Sequence, residues 1–202
     1  MTEFQKAAEQ IIKIGRQLYS LGMAPATSGN FSSRLSDDTV AITVSGAHKG
    51  FLSENDIMLI DRDGQSLDGR RSSAETLLHT GLYQLYPSVN VVLHPHSVNA
   101  TVLSRLCDDW LLLQDYELLK AFKGIDTHEC EVKVPVFEND QDIDRLSGNV
   151  DECLKKMETV HGYLIKGHGF YTWGANVDDA MRHVEAFEFL FECELRMRGK
   201  SK

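Results

Sequence analysis

The segment Val91-Val92-Leu93-His94-Pro95-His96 joins an apolar run to two histidines separated by one residue. A short apolar run of this kind is typical of a buried strand, which we place over residues 90–96. Because alternate side chains of a strand share a face, both imidazoles are expected to project together at the end of that strand. Such a pair suits a divalent metal ion, although two histidines bonded to backbone carbonyls beside a turn would have the same pattern.

A third histidine lies in a similar setting further along the chain. In Lys166-Gly167-His168-Gly169 the histidine stands between the apolar runs Tyr163-Leu164-Ile165 and Phe170-Tyr171, at the end of a predicted strand. Three histidines with a fourth position left open are typical of catalytic rather than structural zinc sites. The third histidine therefore strengthens the interpretation of a metal centre.

The spacing of apolar residues predicts helices and strands on both sides of these segments. Amphipathic helices are predicted over residues 3–21 and 143–157, from Ser72 or Ser73 through Leu85, and after the capping candidate Asn176. Shorter helical segments are predicted over residues 54–58, 100–105 and 116–122. The other predicted strands cover residues 31–35, 40–44, 59–61, 131–137, 162–165 and 170–173. This mixture predicts an α/β fold with strands in local pairs rather than regular βαβ repeats.

Length and charge limit the class of protein. The 202 residues suit one globular domain, expected to span residues 1–202. The formal net charge is −9, and so acidic a chain lacks the basic surface typical of proteins that bind nucleic acid or anionic membranes. The same charge would repel an anionic small substrate unless a local feature reverses the field.

The sequence also bears on the compartment. Its apolar stretches are far shorter than the roughly 20 residues that cross a bilayer, and the first residues do not resemble a secretory signal. Four scattered cysteines with no C-x-x-C pair favour free thiols in a reducing environment. We therefore expect a cytoplasmic protein with neither a membrane nor a nucleic acid as its partner.

Three short segments of small polar residues stand beside predicted strands or helix starts. They are Thr27-Ser28-Gly29-Asn30, Ser45-Gly46 and Ser72-Ser73. Their backbone N–H groups and hydroxyls are suited to bind a phosphate without a lysine-rich pocket, although each segment alone is also typical of an ordinary turn. Lys49 and Lys166 either add positive charge near such a phosphate or are solvated.

Two glutamates are candidates for acid–base chemistry. Glu75 begins the helix after the serine pair, and Glu117 follows the strand that carries the histidines. Either residue considered alone is typical of a solvated glutamate on a helix. His79, one turn after Glu75, either touches the site or packs inside its helix.

Considered together and in order, five motifs resemble the class II aldolase/adducin family over essentially the whole chain. These motifs are Ser28-Gly29-Asn30, Ser45-Gly46, Ser72-Ser73-Ala74-Glu75, His94-Pro95-His96 and Gly167-His168-Gly169. The resemblance implies a three-layer αβα fold around a mainly antiparallel central sheet, assembled as a homotetramer with sites at subunit interfaces. It implies one zinc ion per subunit, bound by His94, His96 and His168. It also implies phosphate contacts from Asn30, Ser45, Gly46, Ser72 and Ser73.

The resemblance further implies an activity on a sugar phosphate. Glu75 stands where the aldolases of the family carry their acid–base glutamate, and Glu117 where the dehydratases carry theirs. The segments 73–79, 117–125 and 168–174 favour a dehydratase with Glu117 as the base. Three alternatives remain open at this stage: an aldolase of the fuculose or rhamnulose 1-phosphate type with Glu75 as the base, a ribulose-phosphate 4-epimerase, and a non-catalytic adducin-like module.

Overall fold

A computed structural model describes residues 1–199, so the last three residues of the expected 1–202 domain lie outside the described part. Eight strands of the described residues form one sheet. In chain order they are β1 (Asn30–Arg34), β2 (Val40–Thr43), β3 (Ile57–Ile60), β4 (Val91–His94), β5 (Trp110–Gln114), β6 (Glu131–Phe137), β7 (Gly162–Ile165) and β8 (Gly169–Gly174). Across the sheet they follow the order β3-β2-β1-β4-β8-β7-β6-β5. Neighbouring strands are antiparallel except β6 and β7, which are parallel.

The α-helices of residues 1–199 cover both faces of the sheet. They are α1 (Glu3–Ser20), α2 (Thr76–Leu85), α3 (Val98–Ser104), α4 (Ile143–Leu154) and α5 (Val177–Arg198). Alternate side chains of β4 enter different apolar clusters: Val91 and Leu93 pack with α1, α3 and α5, whereas Val92 packs with α2 and α4. The predicted three-layer αβα architecture with a mainly antiparallel sheet is confirmed. None of the helices in this part of the chain combines the length and apolarity that a bilayer crossing requires.

The strand predicted over residues 90–96 is shorter, because β4 ends at His94. Pro95 has no N–H to donate to a neighbouring strand, so the ladder stops there. The backbone then turns toward other partners: His96 N–H donates to the carbonyl of Met23 at 2.8 Å, and Phe170 N–H donates to the carbonyl of Pro95 at 3.2 Å. His94 and His96 therefore lie side by side through a bend after the strand rather than through strand alternation.

Other predicted elements hold with changed ends. The helix expected from Ser72 or Ser73 begins at Thr76, with Glu75 as its N-terminal cap residue. The segment 54–58 splits into a single 3-10 turn and the start of β3, and the segment 116–122 is also a 3-10 turn, Glu117–Ala121. The edge strand β5 has no counterpart among the predicted strands. The cap at Asn176 is confirmed, since its side chain accepts from Asp179 N–H at 2.9 Å.

Gly169 permits the close approach of β8 to the bend after β4. A Cβ at this position would lie 2.4 Å from the carbonyl oxygen of Pro95 and 3.2 Å from the His94 ring. We expect Gly169→Ala to lower the free energy of unfolding by about 1–3 kcal/mol, because backbone must shift to admit the methyl group. The measurement is denaturant unfolding at fixed protein concentration.

Gly148 provides the matched control, because it is exposed in α4 and a Cβ there would meet open space among the described residues. Gly148→Ala is expected to raise the free energy of unfolding by up to about 1 kcal/mol through helix propensity. Equal effects of the two substitutions would contradict the close approach at Gly169.

Candidate metal centre and phosphate cavity

Three histidines and one glutamate converge at the end of β4. The Nε2 atom of His94 lies 2.9 Å from Nε2 of His96 and 3.4 Å from Nε2 of His168. His168 occupies the turn between β7 and β8, the strand beside β4. Together with a carboxylate oxygen of Glu75, the possible ligand atoms all lie within 4.8 Å of one another. The structure thus brings together the three histidines that the sequence singled out.

Hydrogen bonds and a ring contact outside the cluster fix the orientation of His94 and of the turn that carries His168. Its Nδ1 lies 2.8 Å from the carbonyl oxygen of Phe170, which only accepts, so Nδ1 carries the proton and Nε2 keeps its lone pair. The ring also stacks on Tyr171, with 4.0 Å between ring centroids. The turn of His168 is held by Thr101, whose hydroxyl donates to the His168 carbonyl at 2.9 Å. Such contacts are typical of histidines that bind metals, because they fix the tautomer and the ring plane.

The environment of His94 and His96 favours the neutral form of both imidazoles. Burial, with the neighbouring His168 adding to it, lowers the pKa of His94 well below its usual value. Burial first, and then His94 and His168, lowers the pKa of His96 to about 2. A divalent cation binds the neutral form of histidine, and imidazole nitrogens with one carboxylate are a donor set that zinc and related ions accept. The residues present therefore fit a divalent metal ion.

Glu75 completes this group from the start of α2. Its carboxylate oxygens lie 3.4 Å from Nε2 of His168 and 3.6 Å from Nε2 of His94. The side chain is only 14% exposed, and one oxygen accepts a hydrogen bond from the Asn30 side-chain amide at 2.7 Å. The sequence pointed to Glu75 as a candidate, and the structure places it among the histidines.

Glu117 occupies a different environment. Its side chain is 73% exposed and accepts a hydrogen bond from Lys120 Nζ at 2.6 Å, with His128 Nδ1 at 3.5 Å. The hydrogen bond from Lys120 lowers the pKa of Glu117, whereas burial would have raised it. The cluster of Glu75 and the three histidines does not include Glu117. Within one chain, therefore, the structure does not bring the favoured base to the metal centre, and its role stays a prediction.

A cavity of about 320 Å³ opens beside the metal centre. The three small-residue segments meet there, and the lining includes Thr27, Ser28, Gly29, Asn30, Ser45, Gly46 and Ser73 together with Glu75 and His96. Four of the five predicted phosphate contacts are thus brought together. The fifth, Ser72, is not among the lining residues. A phosphate bound here would meet hydroxyl and amide donors within reach of the metal ligands.

Lys49 is the cationic residue of this cavity, and the sequence left its role open. Its side chain is buried, and Nζ donates to the carbonyl of Thr27 at 3.0 Å. Burial lowers the pKa of Lys49 to about 8. A lysine in a turn is usually solvated, so only the fold reveals that this ammonium group lines the cavity. Lys166, the other open case, pairs instead with Glu138 at the surface.

The chain is similar along its whole length to several dehydratases. It is 59% identical over 198 residues to methylthioribulose-1-phosphate dehydratase from Methylococcus capsulatus, covering 98% of this chain and 97% of that protein. A dehydratase of the same name from Pseudomonas syringae pv. tomato is 57% identical, with 96% of each chain covered.

Solved structures with the same architecture are more distant in sequence. An L-fuculose 1-phosphate aldolase superimposes with a TM-score of 0.82 at 22% identity, covering 100% of this chain and 90% of the other. The corresponding aldolase of Thermus thermophilus superimposes with a TM-score of 0.77 at 23% identity, with 96% of each chain covered. At such identities the likeness establishes the fold alone.

The family itself is established by a match over most of the chain. The sequence pattern of the Class II Aldolase and Adducin N-terminal domain matches residues 9–195, which contain every residue of the metal centre and cavity described above. The resemblance predicted from the five motifs is confirmed, and this chain belongs to the class II aldolase and adducin family.

Proposed function

We propose that this chain is a methylthioribulose-1-phosphate dehydratase of methionine salvage. The reaction removes water from 5-methylthioribulose 1-phosphate and gives 2,3-diketo-5-methylthiopentyl 1-phosphate. The observation that carries the proposal is the juxtaposition of the His94, His96, His168 and Glu75 cluster with a cavity lined by hydroxyl and amide donors, in a chain 59% identical to a dehydratase of that name. The four cysteines are free in the structure, which supports a reducing cytoplasmic environment for the reaction.

The proposed cofactor is one zinc ion per subunit, bound by His94, His96 and His168. Three imidazoles with a neighbouring carboxylate match the donors that catalytic zinc sites use. When bound, the cation polarises the substrate carbonyl and stabilises the negative charge that develops as the neighbouring C–H proton leaves.

The phosphate is proposed to lie in the cavity beside the cation. Asn30, Ser45, Gly46 and Ser73 supply amide and hydroxyl donors, and Lys49 supplies a positive charge. These donors offset the repulsion that a net charge of −9 exerts on an anionic substrate, because a phosphate entering the cavity meets them at short range. Ser72 remains a phosphate contact on the family resemblance alone.

Proton transfer is proposed to involve both glutamates. Glu117 removes the C3 proton and returns a proton to the departing C4 hydroxyl, and Glu75 contacts the reacting end of the substrate from beside the histidines. Since the carboxylate of Glu117 faces Lys120 and His128 in its own chain, we propose that it serves the metal centre of a neighbouring subunit in a homotetramer. Val98 and Val102 lie beside His96 and His168 and are 73% and 44% exposed. Exposed apolar side chains of this kind support a subunit contact there, because a neighbouring subunit would remove them from water.

A second candidate function is cleavage of a C–C bond in a sugar 1-phosphate. The observation that favours it is the position of Glu75, which lies at the cluster where an aldolase base is expected. The fold likeness to L-fuculose 1-phosphate aldolases is compatible with both reactions. A non-catalytic module would leave the whole donor cluster idle, and the 4-epimerase alternative has no observation of its own.

A direct assay separates these functions. Metal-analysed protein is incubated with methylthioribulose 1-phosphate, and products are followed by mass spectrometry and phosphorus NMR. We expect a phosphorylated product lighter by one water. Parallel incubations with L-fuculose and L-rhamnulose 1-phosphate are expected to give no dihydroxyacetone phosphate, and its appearance in the absence of dehydration would establish the aldolase instead.

The assignment of His96 as a zinc ligand is tested by metal analysis of His96→Ala. We expect this variant to lose at least about tenfold in zinc affinity, because one of three histidine ligands is removed. His128→Asn serves as the control, since this histidine is half-exposed and lies outside the cluster. Full zinc retention by His96→Ala after dialysis against a chelator would contradict the assignment.

The base assignment is tested by mixing two inactive variants. Glu117→Gln is expected to keep its zinc and its fold while kcat falls by about 10²–10⁴, the range for loss of an acid–base group. If Glu117 acts across an interface, a mixed oligomer contains complete sites, in which a Glu117→Gln chain supplies the three histidines and a neighbouring His96→Ala chain supplies Glu117. Random mixing of equal amounts in a symmetric oligomer gives about a quarter of such sites. Normal dehydration by Glu117→Gln, or no recovery in verified mixed oligomers, would contradict this role.

A further inference from the structure

A chain of hydrogen bonds leads from the sheet interior to Glu75. Tyr83 OH lies 2.8 Å from Ser32 Oγ, and Ser32 Oγ lies 2.7 Å from His79 Nδ1. His79 Nε2 contacts the side-chain oxygen of Asn30, and the Asn30 amide nitrogen lies 2.7 Å from Glu75 Oε2. All five side chains come from β1 or from the start and body of α2.

The direction of each hydrogen bond follows from the chemistry of the two ends. A carboxylate accepts, so the Asn30 NH₂ group donates to Glu75 and the Asn30 carbonyl oxygen faces His79. His79 must then donate from Nε2, which leaves Nδ1 to accept from the Ser32 hydroxyl. The hydroxyl of Tyr83 is left to donate to Ser32. In each of these hydrogen bonds, the proton is therefore directed along the series toward Glu75.

From this arrangement we infer that His79 is a positioning residue, which holds the Asn30 amide so that its nitrogen faces Glu75. Without the Nε2 proton of His79, the Asn30 amide is free to turn and present its oxygen to the carboxylate, where two acceptors would repel each other. The inference rests on the proposed function only in taking Glu75 as part of the reacting site. It gives a role to a histidine that lies outside the metal centre.

Burial supports the assignment. His79 is fully buried, and its ring meets Tyr171 edge-on with 5.5 Å between centroids, so the imidazole has little freedom to rotate. Burial lowers the pKa of His79 to about 4, although the charge of Glu75 opposes the shift. Burial also raises the pKa of Tyr83, which keeps the phenol protonated as a donor. One tautomer of a neutral imidazole is therefore maintained.

The same arrangement links the phosphate cavity to the metal centre. Asn30 lines the cavity and has two N–H bonds, of which one is directed to Glu75. The second is available to a phosphate oxygen. By fixing the amide plane, His79 sets the position of both donors at once, so a displaced amide would affect the carboxylate and the bound phosphate together.

The tautomer is tested directly on wild-type protein, with and without added zinc. Nitrogen-15 histidine labelling and long-range proton–nitrogen correlation spectra are expected to show His79 neutral, with its proton on Nε2. The His79 resonances are assigned by their loss in His79→Gln. A proton on Nδ1, or a charged ring near neutral pH, would overturn the inference. This readout needs no substrate, so it is independent of whether the chain dehydrates methylthioribulose 1-phosphate.

The functional consequence is tested by kinetics at equal zinc content. We expect His79→Leu to lower kcat by about 100-fold, because displaced reacting groups cost that much. His79→Gln offers an amide N–H near the position of Nε2, and should recover kcat to within about tenfold of wild type. Equal losses in both variants, or an unchanged kcat in a merely less stable His79→Leu protein, would overturn the inference.

Two further variants separate positioning from the loss of a buried histidine. His161→Leu removes another buried histidine, which stacks on Phe122 and has no polar partner for Nε2 among the described residues. It should change stability while leaving kcat at the wild-type level.

If His79→Leu fails to fold, Ser32→Ala replaces it. We expect this variant to lose about tenfold in kcat, because the His79 ring loses the hydrogen bond from the Ser32 hydroxyl to Nδ1. An unchanged kcat in folded Ser32→Ala would then count against the inference.

Discussion

The hydrogen bond from His94 Nδ1 to the carbonyl of Phe170 is the contact on which the site depends. It joins β4 to β8, the two central strands of the sheet, and directs Nε2 of His94 toward His96 and His168. Because the acceptor is a backbone carbonyl of β8, the ring is held by the fold rather than by a flexible side chain. The apolar layers on both sheet faces therefore stabilise the metal centre indirectly.

The register between β1 and β4 positions the rest of the site, which includes Asn30 and Glu75. Asn30 pairs with His94 across β1 and β4, so the amide that contacts Glu75 and the first of the three histidines are adjacent by backbone pairing. Glu75 is the N-terminal cap residue of α2, which carries His79 and packs over the sheet face where Ser32 lies. A single register thus brings the histidine cluster, the cavity residues and the buried hydrogen-bond chain together. A one-residue slip of β1 would separate all three.

Local pattern in the sequence was sufficient for much of this arrangement, but not for all of it. Motif order predicted the three histidines and most of the cavity, and apolar spacing predicted most strands and helices. The sequence places the end of this strand two residues too late, because apolar pattern does not show that the backbone from Pro95 turns toward Met23 and Phe170, which are distant in sequence. The sequence does not decide the environment of Lys49 or His79 for the same reason, because only tertiary contacts distinguish a buried polar side chain from a solvated or merely packed one.

The two glutamates show why the fold does not decide the reaction. The three histidines would hold a cation that stabilises an enediolate, which dehydration forms by loss of the C3 proton and aldol cleavage forms by breaking the C3–C4 bond. The outcome then depends on which carboxylate meets which substrate atom. Glu75 is fixed beside the three histidines by Asn30, whereas Glu117 lies on an exposed turn and is proposed to be supplied by a neighbouring subunit. Under the proposed role of Glu117, assembly would select the chemistry, because water would be lost only where a neighbouring subunit places this carboxylate against the departing hydroxyl.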